Sequence, residues 1–246
     1  MAQFDGVTGQ YLISVGIAPD GSQKPIRVDR FGSLMTFRLG GGFSALAGEG
    51  TYFRACNPTM GTGIAGAATA SFADTATLLC LRNTSASADG PTIYMDYIRL
   101  ICTATGTGGT SFNAAVVIEG ANRYSSAGTQ LTPANCNSGF STASIADLRF
   151  GAVVASAAGS KRTISRMMFK TQAAPCMVVG DQYYLNFGSN ASGMGALNGS
   201  AAQQFAVDCG PAALGPNGNH SLLLHSWWPS ISAAASFEVE VAWWER

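Results

Sequence analysis

Two histidines and two neighbouring glutamates are the residues whose types and spacing could support acid–base or metal chemistry. His220 and His225 lie five positions apart, so on one strand their side chains point to opposite faces and cannot share a metal ion or a proton. Glu238 and Glu240 would share one face about 7 Å apart, and paired carboxylates can perform acid–base catalysis. On a solvated strand face we instead expect them to meet basic side chains. The candidates share one face of a single strand: Arg162, Arg166 and Lys170.

The cysteines are not spaced as in a zinc site. Zinc ligands come in close sequence pairs, whereas this chain has no C-x-x-C motif and no histidine beside a cysteine. The first residues, MAQFDGVTGQ, lack the basic and apolar regions of a secretory signal, so we expect folding in a reducing cytosol, where disulfides are disfavoured. We therefore predict no metal and no disulfide. Buried, unpaired thiols are expected at Cys56, Cys80, Cys102, Cys136, Cys176 and Cys209.

The glycine-rich stretch Gly61–Gly66 formally matches the G-x-G-x-x-G fingerprint of dinucleotide-binding proteins. That fingerprint requires a buried strand before it, a helix after it and an acidic residue about 20 positions further on. The preceding Thr51–Cys56 is a poor lead-in, and Leu79–Arg82 contains no acid, so we predict a flexible loop. No serine lies in a G-x-S-x-G elbow. These observations predict a chain that is not an enzyme and binds no cofactor.

The charge composition narrows the possible partners. Lys and Arg number 14 and Asp and Glu number 14, which gives no net charge, so nucleic acid is not the expected partner. Charged residues make up 11% of the chain, against about 25% in typical soluble domains. No run of about 18 apolar residues is present to span a membrane. Low charge together with abundant Gly, Ala, Ser and Thr is typical of a protein that works inside an assembly.

The C-terminal residues show the clearest secondary-structure pattern. Phe237, Val239, Val241 and Trp243 alternate with smaller or more polar residues, which is the period-two pattern of a strand with one apolar face. The preceding stretch Ser221–Trp228 is apolar almost throughout, as is typical of a strand buried on both faces. We therefore expect both to be central strands that the rest of the chain pairs with and covers.

Strand-like segments recur through the body of the chain, separated by Gly, Asn, Pro or Ser clusters. This pattern predicts an all-β antiparallel sandwich or barrel, and the lack of long amphipathic patterns excludes a βαβ architecture. A short helical turn is expected at Gly66–Asp74. The predicted strands before the two C-terminal ones are Thr51–Cys56, Thr77–Arg82, Thr92–Thr103, Asn113–Glu119, Asp147–Ser156, Lys161–Thr171, Cys176–Gly180, Tyr183–Phe187 and Gln203–Asp208.

The composition changes near residue 45, which predicts an extended N-terminal arm, 1–45, and a β-sandwich body, 46–246. The triple glycine Gly40–Gly42 would act as a hinge between them. An arm of this kind can add a strand to the edge of a partner's sheet through main-chain hydrogen bonds. Its strand-like segments are Tyr11–Ile17, Pro25–Asp29 and Leu34–Leu39.

The segment Thr92–Thr103 is apolar on both faces if it alternates regularly. A sandwich buries one face of each sheet, so a second apolar face indicates either a contact with another subunit or a covering loop of the same chain. The first alternative predicts a homo-oligomer. Its interface residues would be Tyr94, Ile98, Leu100, Trp227, Trp228 and Trp244.

Four segments resemble virion proteins of tailed bacteriophages: PIRVDRFGSL (Pro25–Leu34), YMDYIRL (Tyr94–Leu100), NRYSSAGTQLTP (Asn122–Pro133) and the final WWER (Trp243–Arg246). They look like structural proteins with a jelly-roll body that decorate or cement the capsid. The resemblance implies a jelly-roll-like sandwich that forms a trimer on the major capsid protein, is made in the host cytoplasm and is located on the capsid surface of the virion. The arm would then contact the capsid through Lys24, Arg27, Arg30, Phe31 and Arg38.

Two other function classes remain open. A binding module of the phage tail or fibre could recognise host surface glycans by stacking sugar rings on Trp227 and Trp228, although their Leu-rich surroundings favour a core position. An enzyme with a cupin-like or lyase jelly roll needs a cluster of histidines and carboxylates, which this sequence does not provide. We therefore expect a non-enzymatic structural protein that stabilises the capsid shell.

Overall fold

The computed structural model describes residues 46–246, except 158, 172 and 189–201, together with the backbone of three strands in the first 45 residues. The chain divides into two compact units, Met1–Ala45 and Leu46–Arg246.

The first unit contains a small antiparallel sheet. Strands β1 (Gln3–Phe4), β2 (Tyr11–Ile17) and β3 (Gln23–Arg27) pair in the order β1-β2-β3. Strand β2 has the predicted bounds, and β3 begins two residues before the predicted Pro25. The predicted strand Leu34–Leu39 and the triple glycine lie outside the described residues. So do three of the predicted capsid-contact residues, Arg30, Phe31 and Arg38.

The second unit is built from strands, preceded by a single helical turn at 46–48. In the part of the chain that the structure describes, no helix is long and apolar enough to cross a membrane. The strands, in chain order, are β4 (Tyr52–Cys56), β5 (Ile64–Ala65), β6 (Ala76–Asn83), β7 (Ile93–Ala104), β8 (Thr107–Gly108), β9 (Ser111–Glu119), β10 (Tyr124–Leu131), β11 (Ala134–Asn135), β12 (Ala146–Ala155), β13 (Arg162–Thr171), β14 (Gln182–Asn186), β15 (Gln204–Asp208), β16 (Ala213–Leu214), β17 (Ser221–Trp227), β18 (Ile231–Ala233) and β19 (Ser236–Glu245).

These strands form two large sheets. The first sheet has the order β10-β12-β6-β17-β9-β13, and the second has the order β11-β4-β19-β7-β14-β15, with β5 and β16 paired at its margins. All pairings in both sheets are antiparallel except β14 with β15. The predicted all-β antiparallel sandwich is therefore confirmed, and the two C-terminal strands, β17 and β19, are central as expected.

The core between the sheets is centred on stacked aromatic rings. Phe112 stacks on Trp228 with ring centroids 5.0 Å apart and meets Tyr183 edge-on at 4.7 Å. Phe237 extends this stack, and Trp243 is fully buried against Phe53. Burying large aromatic side chains removes much apolar area from water, which explains why β19 lies at the centre of its sheet.

Strand β7 changes face in its middle because of a β-bulge. Trp243 pairs with Met95 and Ala242 pairs with Tyr97, so Asp96 is the additional residue. An additional residue in a period-two strand reverses the alternation that follows it. Ile93 and Met95 before the bulge therefore point into the same core as three residues after it, Ile98, Leu100 and Cys102. A second apolar face follows only if side chains alternate regularly along the whole strand, and the bulge at Asp96 interrupts that alternation.

Two local predictions were wrong, and one long strand was not predicted. Gly66–Asp74 forms no helical turn, and Cys176–Gly180 forms no strand. Strand β10 was missed because its residues are mostly polar and exposed: it is an edge strand, interrupted by two register shifts. Polar, bulged edges prevent pairing with another chain, so such a strand lacks the apolar alternation by which a buried strand is recognised.

Candidate functional site

Glu240 is the centre of a charged network on the outer face of the second sheet. Its Oε1 accepts hydrogen bonds from Arg54 Nη1, at 3.2 Å, and from the Tyr97 hydroxyl, while Oε2 accepts from Arg99 Nη2. Burial and then the hydrogen bond with Glu240 raise the pKa of Tyr97. Both carboxylate oxygens are thus engaged by donors, so Glu240 is arranged as an anchor and not as a general base.

The same network continues to a buried carboxylate at the bulge. The Tyr52 hydroxyl donates to Asp96 Oδ2, and the Arg54 guanidinium lies 5.8 Å from the Tyr52 ring centroid. Burial and then this hydrogen bond raise the pKa of Tyr52. Asp96 is 3% exposed, and its Oδ1 has no hydrogen-bond partner. The bulge therefore directs a carboxylate into the aromatic surroundings of Tyr52, where an unpartnered oxygen is costly.

A cavity of about 170 Å³ lies beside this network, next to the loop that follows β4. The loop is held by Asn57 Nδ2, which donates to the Thr62 carbonyl at 2.8 Å, and by the Gly61 amide, which donates to Glu238. The glycine-rich fingerprint Gly61–Gly66 follows the cavity-lining Met60 and contains β5, and no helix comes after it. The cavity is lined by Cys56, Asn57, Met60, Arg99, Ile101, Glu238, Val239 and Glu240.

The outer face of the first sheet carries an aromatic cluster around Phe72. The Phe72 ring meets Trp227 edge-on at 5.7 Å and lies 5.1 Å from the His225 ring. Lys161 Nζ lies 5.2 Å from the Phe72 centroid and forms an ion pair with Asp74 at 2.8 Å. Phe72 is 41% exposed, so this cluster presents an aromatic surface to solvent with a cation beside it.

His225 is buried beneath this cluster and is neutral. Its Nδ1 lies 2.9 Å from the Ala76 carbonyl, which can only accept, so Nδ1 carries the proton. Burial lowers the pKa of His225, and its Nε2 has no hydrogen-bond partner. His220 lies just before the first residue of the same strand. Among the described residues no group of three or more His, Cys, Asp or Glu side chains is placed to hold a metal ion.

A buried ion pair holds a loop between β13 and β14. Asp181 is fully buried and accepts from Lys170 Nζ at 3.0 Å and from the Val178 and Gln203 amides, each at 2.8 Å. Its carbonyl also accepts from the Cys102 amide. Each of these contacts holds either a main-chain group or a residue of a neighbouring strand in place. The Lys170–Asp181 ion pair is therefore structural. Lys170 therefore does not reach Glu240. The basic partners of Glu240 are Arg54 and Arg99, so the predicted set was wrong: Arg162, Arg166 and Lys170.

The predicted interface residues separate into two groups. Ile98 and Leu100 are fully buried in the core of the chain itself, and Trp228 is 1% exposed there. Their assignment to an oligomer interface is corrected, because the bulge at Asp96 and the inward direction of Trp228 bury them without a partner. Tyr94 and Trp244 form a half-buried stack, with centroids 5.6 Å apart, on the outer face of the second sheet, and Trp227 is half-buried on the first.

The cysteines are unpaired, as predicted for these residues, but not all are buried. Cys56 and Cys136 are exposed, because each lies on or beside the outer face of the edge formed by β4 and β11. The other four lie within the body. Burial raises the pKa of each thiol, to about 12 for Cys80 and Cys102 and to about 11 for Cys209.

Sequence reasoning missed the residues that gather around Trp227 and Glu240. Phe72, Asp74 and Lys161 come from loops, and Arg54 and Arg99 come from strands far apart in sequence. No spacing signal connects them, because only strand pairing brings them together. Comparison of the chain with protein-family models, with curated proteins and with solved structures gave no match.

Proposed function

We propose that this chain is a non-enzymatic virion structural protein of a tailed bacteriophage that decorates the capsid by binding the major capsid protein. The observation that carries the proposal is the strand order of the body. Eight strands form two blocks, β4-β19-β7-β14 and β6-β17-β9-β13. In chain order the eight strands are β4, β6, β7, β9, β13, β14, β17 and β19. If these eight alone are numbered from one to eight, the strand order is 1-8-3-6 in one block and 2-7-4-5 in the other. This order supports a jelly roll, the double-sheet architecture of many capsid proteins.

The N-terminal unit supports an attachment role. It forms a separate compact unit with its own three-stranded sheet, and β3 carries Lys24 and Arg27. Strand addition to a partner's sheet edge requires main-chain hydrogen bonds but little apolar surface, and basic side chains then set the register. We propose that this unit contacts the capsid, with Arg30, Phe31 and Arg38 as the remaining contact residues.

Deletion of residues 2–42 tests the attachment role. The truncated chain should remain folded with nearly unchanged thermal stability, and its binding to capsids that lack the protein should fall at least about tenfold. A truncated chain that unfolds would make the first unit part of the sandwich core. If the truncated chain folds and still decorates capsids, the residues that contact the capsid lie in the body, 46–246.

We also propose that the chain assembles as a homo-oligomer, a trimer. The support is the half-buried stack of Tyr94 and Trp244 on the outer face of the second sheet, which remains after Ile98, Leu100 and Trp228 are assigned to the core. Exposed apolar patches of this kind commonly mark interfaces. Light scattering at micromolar concentration should give a particle mass of about three times that of one chain. A particle mass equal to that of one chain would contradict this proposal.

A tail or fibre-associated glycan-binding module is the second candidate, favoured by the exposed Phe72 ring and the half-buried Trp227 that it contacts. Electron microscopy of virions labelled with an antibody against this chain separates the two functions. Label over the whole capsid supports decoration. Label confined to the tail would replace it with the second candidate.

A further inference from the structure

The outer face of the first sheet carries a row of side chains with the composition of a carbohydrate-binding surface. Trp227 on β17 pairs across the sheet with Asn113 on β9, which pairs with Met168 on β13. Met168 is 63% exposed, and Phe72 leans edge-on against Trp227. Neighbouring strands lie about 4.8 Å apart, so the row extends about 10 Å across the sheet.

A positive charge lies directly beside this row. Arg166 precedes Met168 by two positions and faces the same side of β13, where it pairs with Ala115. Within the described part of the chain Arg166 is exposed and forms no ion pair, whereas Lys161 is already paired with Asp74. The surface therefore has one uncompensated positive charge next to an aromatic and thioether row.

The location of the row on a sheet face determines how a ligand can bind there. A peptide that adds as a strand binds to the edge of a sheet, whereas this row crosses the face of three paired strands, so strand addition cannot occur on it. Recognition has to use side chains alone. Flat aromatic rings offer apolar contact to the C–H faces of sugars, and an arginine fork binds a carboxylate through two parallel hydrogen bonds.

We propose that Phe72, Trp227, Met168 and Arg166 form a binding site for a carboxylated saccharide of the uronic-acid type. The apolar side chains contact the C–H face of one sugar unit, and Arg166 binds the carboxylate of that unit or of the next one. This site goes beyond the decoration role and does not depend on where in the particle the chain is located.

Isothermal titration of the full chain with trigalacturonate tests the proposal, with maltotriose as the neutral trisaccharide of equal ring number. Trigalacturonate should bind with a dissociation constant of about 0.1–1 mM, and maltotriose at least about tenfold more weakly. Absence of trigalacturonate binding up to about 20 mM, or equal binding of both saccharides, would overturn the proposal.

Single substitutions locate the site. Arg166→Gln should reduce trigalacturonate binding to the level of maltotriose and leave maltotriose unchanged. Arg162→Gln is the matched control, because Arg162 is also exposed and unpaired among the described residues but lies at the start of β13, paired with Ile118. It should change neither affinity. Equal losses in both variants would indicate non-specific charge attraction and contradict the site.

The aromatic part of the site is tested by Phe72→Ala, which should reduce the affinity for both saccharides by at least about tenfold. If this variant does not fold by circular dichroism, Phe72→Leu retains apolar volume without the ring and should give the same loss. A hexaglutamate peptide provides the last comparison. If it binds as tightly as trigalacturonate, the surface is a protein-docking site and the saccharide proposal is wrong.

Discussion

Arg123 Nη1 and Glu119 Oε2 form an ion pair 2.6 Å long whose side chains are 1% and 2% exposed. The remaining donors of Arg123 reach the carbonyls of Ser156 at 2.9 Å and Asp74 at 3.0 Å, and Glu119 Oε1 accepts from the Gly159 amide at 2.7 Å. One arginine therefore ties the end of β9 to two separate loops. A buried pair of this kind is costly to desolvate, but removal of one partner leaves an uncompensated charge.

Removal of Arg123 should strongly destabilise the fold. Arg123→Met leaves the Glu119 carboxylate and two loop carbonyls without their donor, and it should lower the free energy of unfolding by about 3–5 kcal/mol in denaturant titration. Arg246→Met is the surface control, because the pair with Glu49 is exposed on both sides, at 59% and 53%. It should cost less than about 1 kcal/mol. Equal costs would show that the Arg123 pair is not structural.

The two adjacent tryptophans of β19 should differ in their effect on stability. Trp243 is 0% exposed against Phe53, so Trp243→Ala should lower the free energy of unfolding by about 3–5 kcal/mol. Trp244 lies on the opposite, half-buried face, so Trp244→Ala should cost under about 2 kcal/mol. The measurement is chemical denaturation of each variant. A larger loss for Trp244→Ala would reverse the inward and outward faces of this strand.

Glu240 should matter more for stability than a solvated glutamate does. Its side chain is 14% exposed and accepts from three donor groups. Glu240→Ala should lower the free energy of unfolding by about 1–3 kcal/mol, because Arg54, Arg99 and the Tyr97 hydroxyl lose their common acceptor. Glu238→Ala is the matched control, two positions away on the same face: it removes the acceptor of one donor, the Gly61 amide, and should cost less than Glu240→Ala. If thermal and denaturant melts gave Glu238→Ala the larger effect, the network would not be centred on Glu240.

Stability should decrease with acidification through His225. Burial lowers its pKa from 6.5, so below pH 6.5 the unfolded chain binds a proton that the folded chain does not, and the folded state loses stability as the pH falls. At higher pH His225 contributes no slope. The charged groups that face it are Asp74, Arg123 and Lys161. Denaturation at stepwise lower pH should show a shallower decrease in the free energy of unfolding for His225→Gln than for the unmodified chain. An unchanged slope in His225→Gln would contradict this assignment.

Thiol reactivity should follow exposure. Cys56 and Cys136 are exposed and the other four cysteines are buried, with pKa values raised by burial. The thiolate is the reactive form, so a maleimide reagent should add two labels to the folded chain and six after unfolding, as counted by intact mass. Because all six are free thiols, reductant should leave the melting temperature unchanged. A folded chain that takes up more than two labels would show that the buried cysteines open readily.

Local alternation was sufficient to predict the strands that build the core. The period-two pattern of Phe237, Val239, Val241 and Trp243 placed the inward face of β19 correctly, and the apolar run at Ser221–Trp228 identified a central strand. Polar strands such as β10 carry no such pattern, since nothing about their side chains has to be buried.

What the sequence by itself determined was therefore the set of buried strands, the faces of the regular ones and the all-β class. The tertiary structure decided the phase of β7 beyond Asp96, the partners of Glu240 and the gathering of Phe72, Trp227 and Arg166 on one face. Alternation is a property of neighbouring residues and can be seen in the chain. A bulge and a cross-strand contact depend on the register between strands distant in sequence, which is settled only when the sheets pair and pack.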